Sequence, residues 1–280
     1  MSHNKDIKTV QGFGDEWERF DQSGLNPDEL RVLFNKYFGI FPWNLINFRS
    51  VGFDMGCGSG RWARLVADRV GVLHCIDPSS ALIVAQKNLV DKPNCRFHAG
   101  GVGDFILPVE SMDFGYSLGV LHHVPNTSLG IKECVKFLKP GAPFLLYLYY
   151  AFDNRPLWFR LIWRLSDLFR LFVSRLPHGL RYIVSQILAT LVYLPMAKIA
   201  MLCERLGLRK DICDIIPLGT YRNLSFYTMR TDALDRFGTR LEQRFSKNEI
   251  FKMMIDAGLK DIKFSEDVPF WCAVGIKKSN

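Results

Sequence analysis

Three things are missing from this chain of 280 residues, and each removes a class of function. None of its seven cysteines stands in a C-x-x-C pair or with histidines at zinc-ligand spacing, so no metal is required and the thiols read as reduced, as in a cytoplasmic protein. The opening residues, MSHNKDIKTVQGFG, hold no apolar run of the secretory kind, which points to the same compartment. A basic run interleaved with aromatics is also absent. The charge of +8 is therefore read as a solvated surface, and no nucleic-acid partner is expected. With 48% hydrophobic residues the chain can bury a full core, which excludes a disordered protein.

What is present centres on residues 51–60, VGFDMGCGSG, an apolar strand breaking into a turn that holds Gly56, Gly58 and Gly60. Glycines at this spacing let main-chain N–H groups approach a ligand, and residues 61–70 have the apolar spacing of a helix whose N-terminus points at the same place. Gly58, Gly60 and Ala63 also satisfy the dinucleotide fingerprint, with Asp77 following at a workable distance. Asp54, at the strand's end before Cys57, tips the choice. A carboxylate there suits a ligand with an amino group and repels a pyrophosphate.

The run DMGCGSG resembles motif I of the class I S-adenosylmethionine-dependent methyltransferases, and three further stretches support the resemblance to their small-molecule branch: HCIDPSS, SLGVLHHVPN and LKPG. The fold this implies is α/β, a seven-stranded, mostly parallel, doubly wound sheet of Rossmann-like type whose last two strands form a hairpin. Alternating strand and helix patterns between residues 51 and 150 independently require a parallel sheet, with strands at 51–54, 72–76, 95–98, 114–118 and 144–149. Ligands bind such sheets at the carboxyl ends of the strands.

The resemblance assigns a cofactor, S-adenosylmethionine, with S-adenosylhomocysteine as product, to Asp54, Gly56, Cys57, Gly58 and Gly60. Asp77 accepts the ribose hydroxyls or else caps the helix that follows it, with Pro78 and Ser79 lining the same edge. The stretch AGGVGDF lacks an acid directly after the third strand, so the main chain of Gly101 and Val102 is expected to serve adenine. Gly119 and Val120 approach the methionyl part. His122 is the candidate general base and His123 its packed neighbour. Trp17 in an N-terminal helical cap, Tyr149 and Tyr150 at the end of the fifth strand, and Tyr221 with Arg222 are the candidate substrate contacts, the last by a guanidinium fork suited to an anionic group. Each of these has a packing or surface-charge alternative.

The expected organisation is a cap (1–49), a cofactor-binding core (50–150), a helical insertion or lid (151–230) and a returning helix and strand pair (231–280). Residues 183–202 are long and apolar enough to cross a bilayer, with Lys198 the one charge. A single crossing would strand the last two strands on the wrong side, so no span is expected. The helix is instead packed within the insertion as a lid or homodimer face, with shallow membrane-surface contact as the alternative. The implied reaction is methyl transfer to an O, N or C nucleophile of a small or medium-sized, partly apolar metabolite, with an anionic group as an option left open. Two other classes stay open: a nicotinamide-dependent oxidoreductase using the same turn, and a methyltransferase-like binding protein without catalysis.

Overall fold

A computed structural model describes residues 4–104 and 107–279. They form two compact units, one of residues 1–22, 31–151 and 241–280, the other of residues 23–30 and 152–240. In chain order the first unit holds α1 (Ile7–Arg19), α2 (Pro27–Phe38), whose first turn belongs to the second unit, β1 (Val51–Met55), α3 (Ala63–Val66), β2 (Val72–Asp77), α4 (Ala81–Asn88), β3 (Cys95–Ala99), β4 (Phe114–Leu118), α5 (Thr127–Phe137) and β5 (Pro143–Tyr147). The second unit follows with α6 (Leu157–Val173), α7 (His178–Leu188), α8 (Leu194–Arg205), α9 (Lys210–Ile215) and α10 (Phe226–Gly238). The chain then returns to the first through α11 (Lys247–Asp256), β6 (Leu259–Phe264) and β7 (Ala273–Lys277).

The seven strands make one sheet of order β3-β2-β1-β4-β5-β7-β6, with β7 antiparallel to both its neighbours and the rest parallel. This is the Rossmann-like sheet the sequence leads one to expect. The central pair is locked by reciprocal exchange of side-chain space. A Cβ on Gly52 of β1 would lie 2.2 Å from the Phe114 ring on β4, and one on Gly115 of β4 would lie 2.3 Å from the Phe53 ring on β1. Each glycine makes room for the phenyl of the neighbouring strand, and both rings are fully buried. A core of Phe53, Leu121, Ile131, Phe144, Leu146 and Met254 covers one face of the sheet. The return of the chain is fixed locally by Ser246 and Glu249, which form a reciprocal capping box at the start of α11.

The second unit departs from expectation in three ways. It extends to Arg240 rather than residue 230, and its last element is the helix α10. The cap loses residues 23–30 to this unit, because Glu29 accepts hydrogen bonds from Thr228 Oγ1 (2.6 Å) and Ser225 N (3.1 Å) at the start of α10. Finally, residues 183–202 are packed inside along one face only. They belong to a continuous helical run in which a π-turn, Ala189–Tyr193, joins α7 to α8. Pro195 explains the turn: its ring and missing N–H disrupt the α-helical bond to residue 191. Of this run, Ser185, Ala189, Tyr193 and Ala197 face inward, while Ile183, Ile187 and Leu191 are exposed.

The second unit is held from within by arginines. Arg170 of α6 donates to the Thr239 carbonyl at 3.0 Å, and Arg181 of α7 to the Gly238 carbonyl at 2.8 Å. Both cations therefore meet the carboxyl end of α10, where the last carbonyls lack helical partners and the helix dipole is negative.

Candidate functional site

Where the sheet order reverses, between β1 and β4, the carboxyl ends of the strands carry nearly all the residues singled out above. Asp54 sits in register with Cys75 of β2 on one side and Tyr116 of β4 on the other. The glycine turn is anchored to β2: Gly56 N and Cys57 N both donate to the Ile76 carbonyl, at 2.8 and 3.0 Å, and Gly58 N donates to Asp77 Oδ2 at 2.9 Å. Gly56 and Gly60 are small for packing reasons, since a Cβ would collide with Val120 and Leu89 respectively. All three are also left-handed, with φ of +83°, +52° and +78°, and at Gly58 the absent Cβ would lie 3.0 Å from the indole nitrogen of Trp17.

Asp77 is buried and heavily engaged. Its Oδ1 accepts from Ser79 N at 2.9 Å and Ser79 Oγ at 2.6 Å, so it builds the turn that leads into α4. Ser79 Oγ is the group within reach of Ala81 N, at 3.2 Å. Burial raises the Asp77 pKa against these hydrogen bonds. Pro78 is exposed and Ser79 half-buried beside it. Asp54 is more extreme. Burial pushes its pKa up to about 8, opposed by the nearby Tyr116 phenol and reinforced by Asp77. Although the phenol is close enough to act on the carboxylate, Asp54 Oδ2 and Tyr116 Oη have no partner of good hydrogen-bond geometry among the described residues. Cys57 is a buried thiol; its hydrogen bond with Cys75 lowers the pKa, and burial with the nearby carboxylates carries it up to about 11.

One of the main-chain groups expected to serve adenine is already used within the fold. Gly101 does not offer its main chain to a ligand: its N–H donates to Asp104 Oδ2 at 2.9 Å and its carbonyl accepts from Asp104 N at 3.1 Å. Asp104 also pairs with Lys5, which crosses Gly101. Val102 is packed into the core. By contrast Gly119, with φ of +78°, has no atom within 4 Å of where its Cβ would be, and Val120 packs against Gly56.

An aromatic wall rises beside this turn. His122 is fully buried, stacked on Tyr149 with ring centroids 3.9 Å apart and against His123 at the same distance. Neither of its ring nitrogens has a hydrogen-bond partner among the described residues. Burial, then the neighbouring His123 and Arg244, hold its pKa well below the usual 6.5, so the ring is neutral. His123 is tied to the Leu241 carbonyl at 2.7 Å and meets Phe13 of α1 at 4.9 Å. The wall continues through Tyr147, Tyr37 and Trp62, with successive centroids 5.1 and 4.9 Å apart. Arg61 lies 4.3 Å over the Trp62 ring and 5.8 Å from that of Trp17, which returns the wall to α1.

Tyr150 does not belong to it. Neighbouring residues on an extended segment face opposite ways, and its ring packs on Phe270 while Tyr149 faces His122. Tyr37, Trp62, Tyr147 and Arg244 were missed from sequence. Tyr147 was within reach, being two residues from Tyr149 and so on the same face.

Tyr221 and Arg222 lie in the second unit. The Arg222 side chain is 4% exposed, and its terminal nitrogens bond Asp214 Oδ1 (2.5 Å) and Glu204 Oε1 (2.9 Å). This fork is an internal strut rather than a substrate clamp. Tyr221 stacks edge-on against Tyr193, centroids 5.3 Å apart.

Comparisons with known proteins agree with this geometry. A family profile described as a methyltransferase domain matches residues 53–146. Over 100 residues the chain is 33% identical to phosphoethanolamine N-methyltransferase 2 of Caenorhabditis elegans, covering 34% of this chain and 23% of that one. Over 104 residues it is 26% identical to the ubiquinone biosynthesis O-methyltransferase of Coxiella burnetii, covering 36% and 43%. The match thus spans less than half the length of either relative. Among solved structures, an O-methyltransferase family protein from Burkholderia thailandensis has the same fold, with TM-score 0.53 and 13% identity over 89% of this chain and 56% of that one. The motif turn at the switch point of the seven-stranded sheet thus lies at the start of a matched methyltransferase domain, residues 53–146.

Proposed function

We propose that this protein binds S-adenosylmethionine and transfers its methyl group to an O, N or C nucleophile of a small, partly apolar acceptor. The observation that carries the reading is the pairing of a glycine turn with two buried carboxylates, Asp54 and Asp77, at the carboxyl ends of β1 and β2. The residues fit the cofactor. Asp54 Oδ2 is a buried acceptor in want of a donor, and the space over Gly119 is open. When bound, the cofactor supplies an electrophilic methyl on a positively charged sulfur.

The chain's own groups divide the remaining work. Asp77, held rigid by Gly58 and Ser79, has acceptor capacity left for ribose hydroxyls. Asp54 receives the amino group, for which it must shed the proton that burial imposes. Trp17 covers the glycine turn, and the wall of Trp62, Tyr37, Tyr147 and Tyr149 excludes water and offers ring faces to positive charge. Neutral His122 can hold a proton released by the acceptor. The idea of an anionic acceptor rested on Arg222 and falls with it. The two curated relatives are named for N- and O-methyl transfer, and both nucleophiles stay within the proposal.

Calorimetric titration with S-adenosylhomocysteine and with nicotinamide dinucleotides is the direct test. Binding of the first alone is expected. Binding of a nicotinamide cofactor instead would make the protein an oxidoreductase, and binding of neither would make it a non-catalytic relative.

A further inference from the structure

The interior of the second unit combines an apolar cluster that includes Val173, Tyr193, Met229 and Phe237 with the buried polar side chains of Arg170, Arg181, Arg222 and Ser185. Its outer surface nonetheless carries a long apolar stripe. Along α6, Leu157, Leu161, Leu165, Leu168 and Phe172 recur at helical spacing and are each between 59% and 79% exposed. A soluble helix turns such a stripe toward its core. Here the other side of α6 is fixed inward by Arg170, so the stripe cannot turn without breaking the bond to α10.

The charge around the stripe identifies what covers it. Residues 152–240 hold 14 Lys and Arg against 7 Asp and Glu, which accounts for nearly all of the chain's charge of +8. Between residues 157 and 202 the ratio is six to one, with Asp167 the single acid. A second copy of the same basic surface would be repelled, whereas an anionic bilayer would be attracted. Exposed Arg164, at helical spacing from Leu161 and Leu168, and half-buried Arg160 set cations beside the stripe, as in a helix lying in the membrane interface whose cations reach the headgroups while its apolar residues enter the acyl boundary.

The run from His178 to Arg205 is itself long and apolar enough to cross a membrane, with 22% of its most apolar window buried. Its polar face, however, is engaged. Gln186 and Tyr182 are bonded by Arg230 of α10, and Arg181 by the end of that helix. A helix with one face committed to a charged neighbour fits the plane of the interface rather than a crossing.

We infer that the helical insertion docks the protein flat on an anionic phospholipid surface through the exposed apolar face of α6. The inference stands independently of the methyl-transfer chemistry.

Flotation of the purified full chain with vesicles tests it. Binding is expected to phosphatidylcholine vesicles containing phosphatidylglycerol, to weaken with added salt, and to be far weaker on phosphatidylcholine alone. The double variant Leu161→Glu/Leu168→Glu, at exposed positions that leave the interior untouched, should lower binding by at least about tenfold with an unchanged circular dichroism spectrum. Arg164→Glu/Lys198→Glu should do the same on the anionic vesicles only. Equal binding to both vesicle types overturns the anionic assignment. Absence of binding from a protein that is dimeric in solution, and monomeric once Leu161 and Leu168 are replaced, assigns the face to a second copy and overturns the inference. Resistance to alkaline extraction together with protease protection of one flank of residues 178–205 overturns it in favour of a span.

Discussion

Gly58 donates its main-chain N–H to Asp77 Oδ2 at 2.9 Å, so the carboxylate ending β2 shapes the glycine turn that ends β1. The two motifs are therefore one device. Asp77→Ala removes the acceptor offered to the ribose and the anchor of the turn together. It should weaken S-adenosylhomocysteine binding by about 1.5–3 kcal/mol, the range for a hydrogen bond to a charged group. Calorimetry reads this directly, and unchanged affinity in a folded variant removes Asp77 from the site.

Asp54 makes stability and binding depend on pH. It titrates near 3.8 in an exposed chain and at about 8 in the fold. Between those values the folded state binds the extra proton, so this residue's contribution to stability falls as pH rises through the window. Asp54→Asn does not titrate, and its thermal midpoint should exceed that of wild type by a margin that grows from pH 4 toward 8. Binding an ammonium group beside Asp54 should expel the proton. At neutral pH, titrations with S-adenosylhomocysteine in buffers of different protonation enthalpy should report proton release in wild type and none in Asp54→Asn.

Much of this was legible because it is local. The apolar runs of β1, β2 and β4 and the turn residues after them are consecutive in sequence, and short-range sterics decide them. What was not legible joins distant residues. Lys5 and Asp104 come together across Gly101 and occupy the place assigned to adenine contacts. Tyr37, Trp62 and Tyr147 meet from α2, the turn after β1 and β5, and no spacing announces that. In the second unit, arginines satisfying the end of α10 take inward positions on α6 and α7 while leucines of the same helices stay outside. A pattern read on the assumption that apolar means inside holds for only one face of residues 183–202.

His122 separates packing from chemistry. Its ring is wedged between Tyr149 and His123, so His122→Ala opens a cavity and should cost about 2–5 kcal/mol of stability. His122→Phe keeps the stack and removes both nitrogens. If the ring takes the acceptor's proton, turnover in the Phe variant should fall by about 10²–10⁴-fold with S-adenosylhomocysteine affinity unchanged. Because the pKa is held well below 6.5, the imidazole is neutral across the neutral range, and wild-type turnover should show no acid limb from it there. Equal turnover in wild type and His122→Phe would show that alignment alone carries the reaction.

Gly119 and Gly141 offer a matched pair of substitutions. Both are left-handed, with φ of +78° and +82°, and neither has an atom within 4 Å of the place a Cβ would take. Alanine at either should therefore cost a similar backbone strain, about 1–2 kcal/mol, without a clash inside the protein. Their positions differ. Gly119 follows the carboxyl end of β4, among the residues assigned to the cofactor, whereas Gly141 lies in the turn that precedes β5, at the opposite, amino end of the parallel strands. Gly119→Ala should thus weaken S-adenosylhomocysteine binding by more than about tenfold, or about 1.4 kcal/mol. Gly141→Ala should lower the thermal midpoint comparably and leave that affinity as it is. The comparison cancels strain and leaves occupancy of the open space, so equal affinities in the two variants would place the methionyl part of the cofactor away from Gly119.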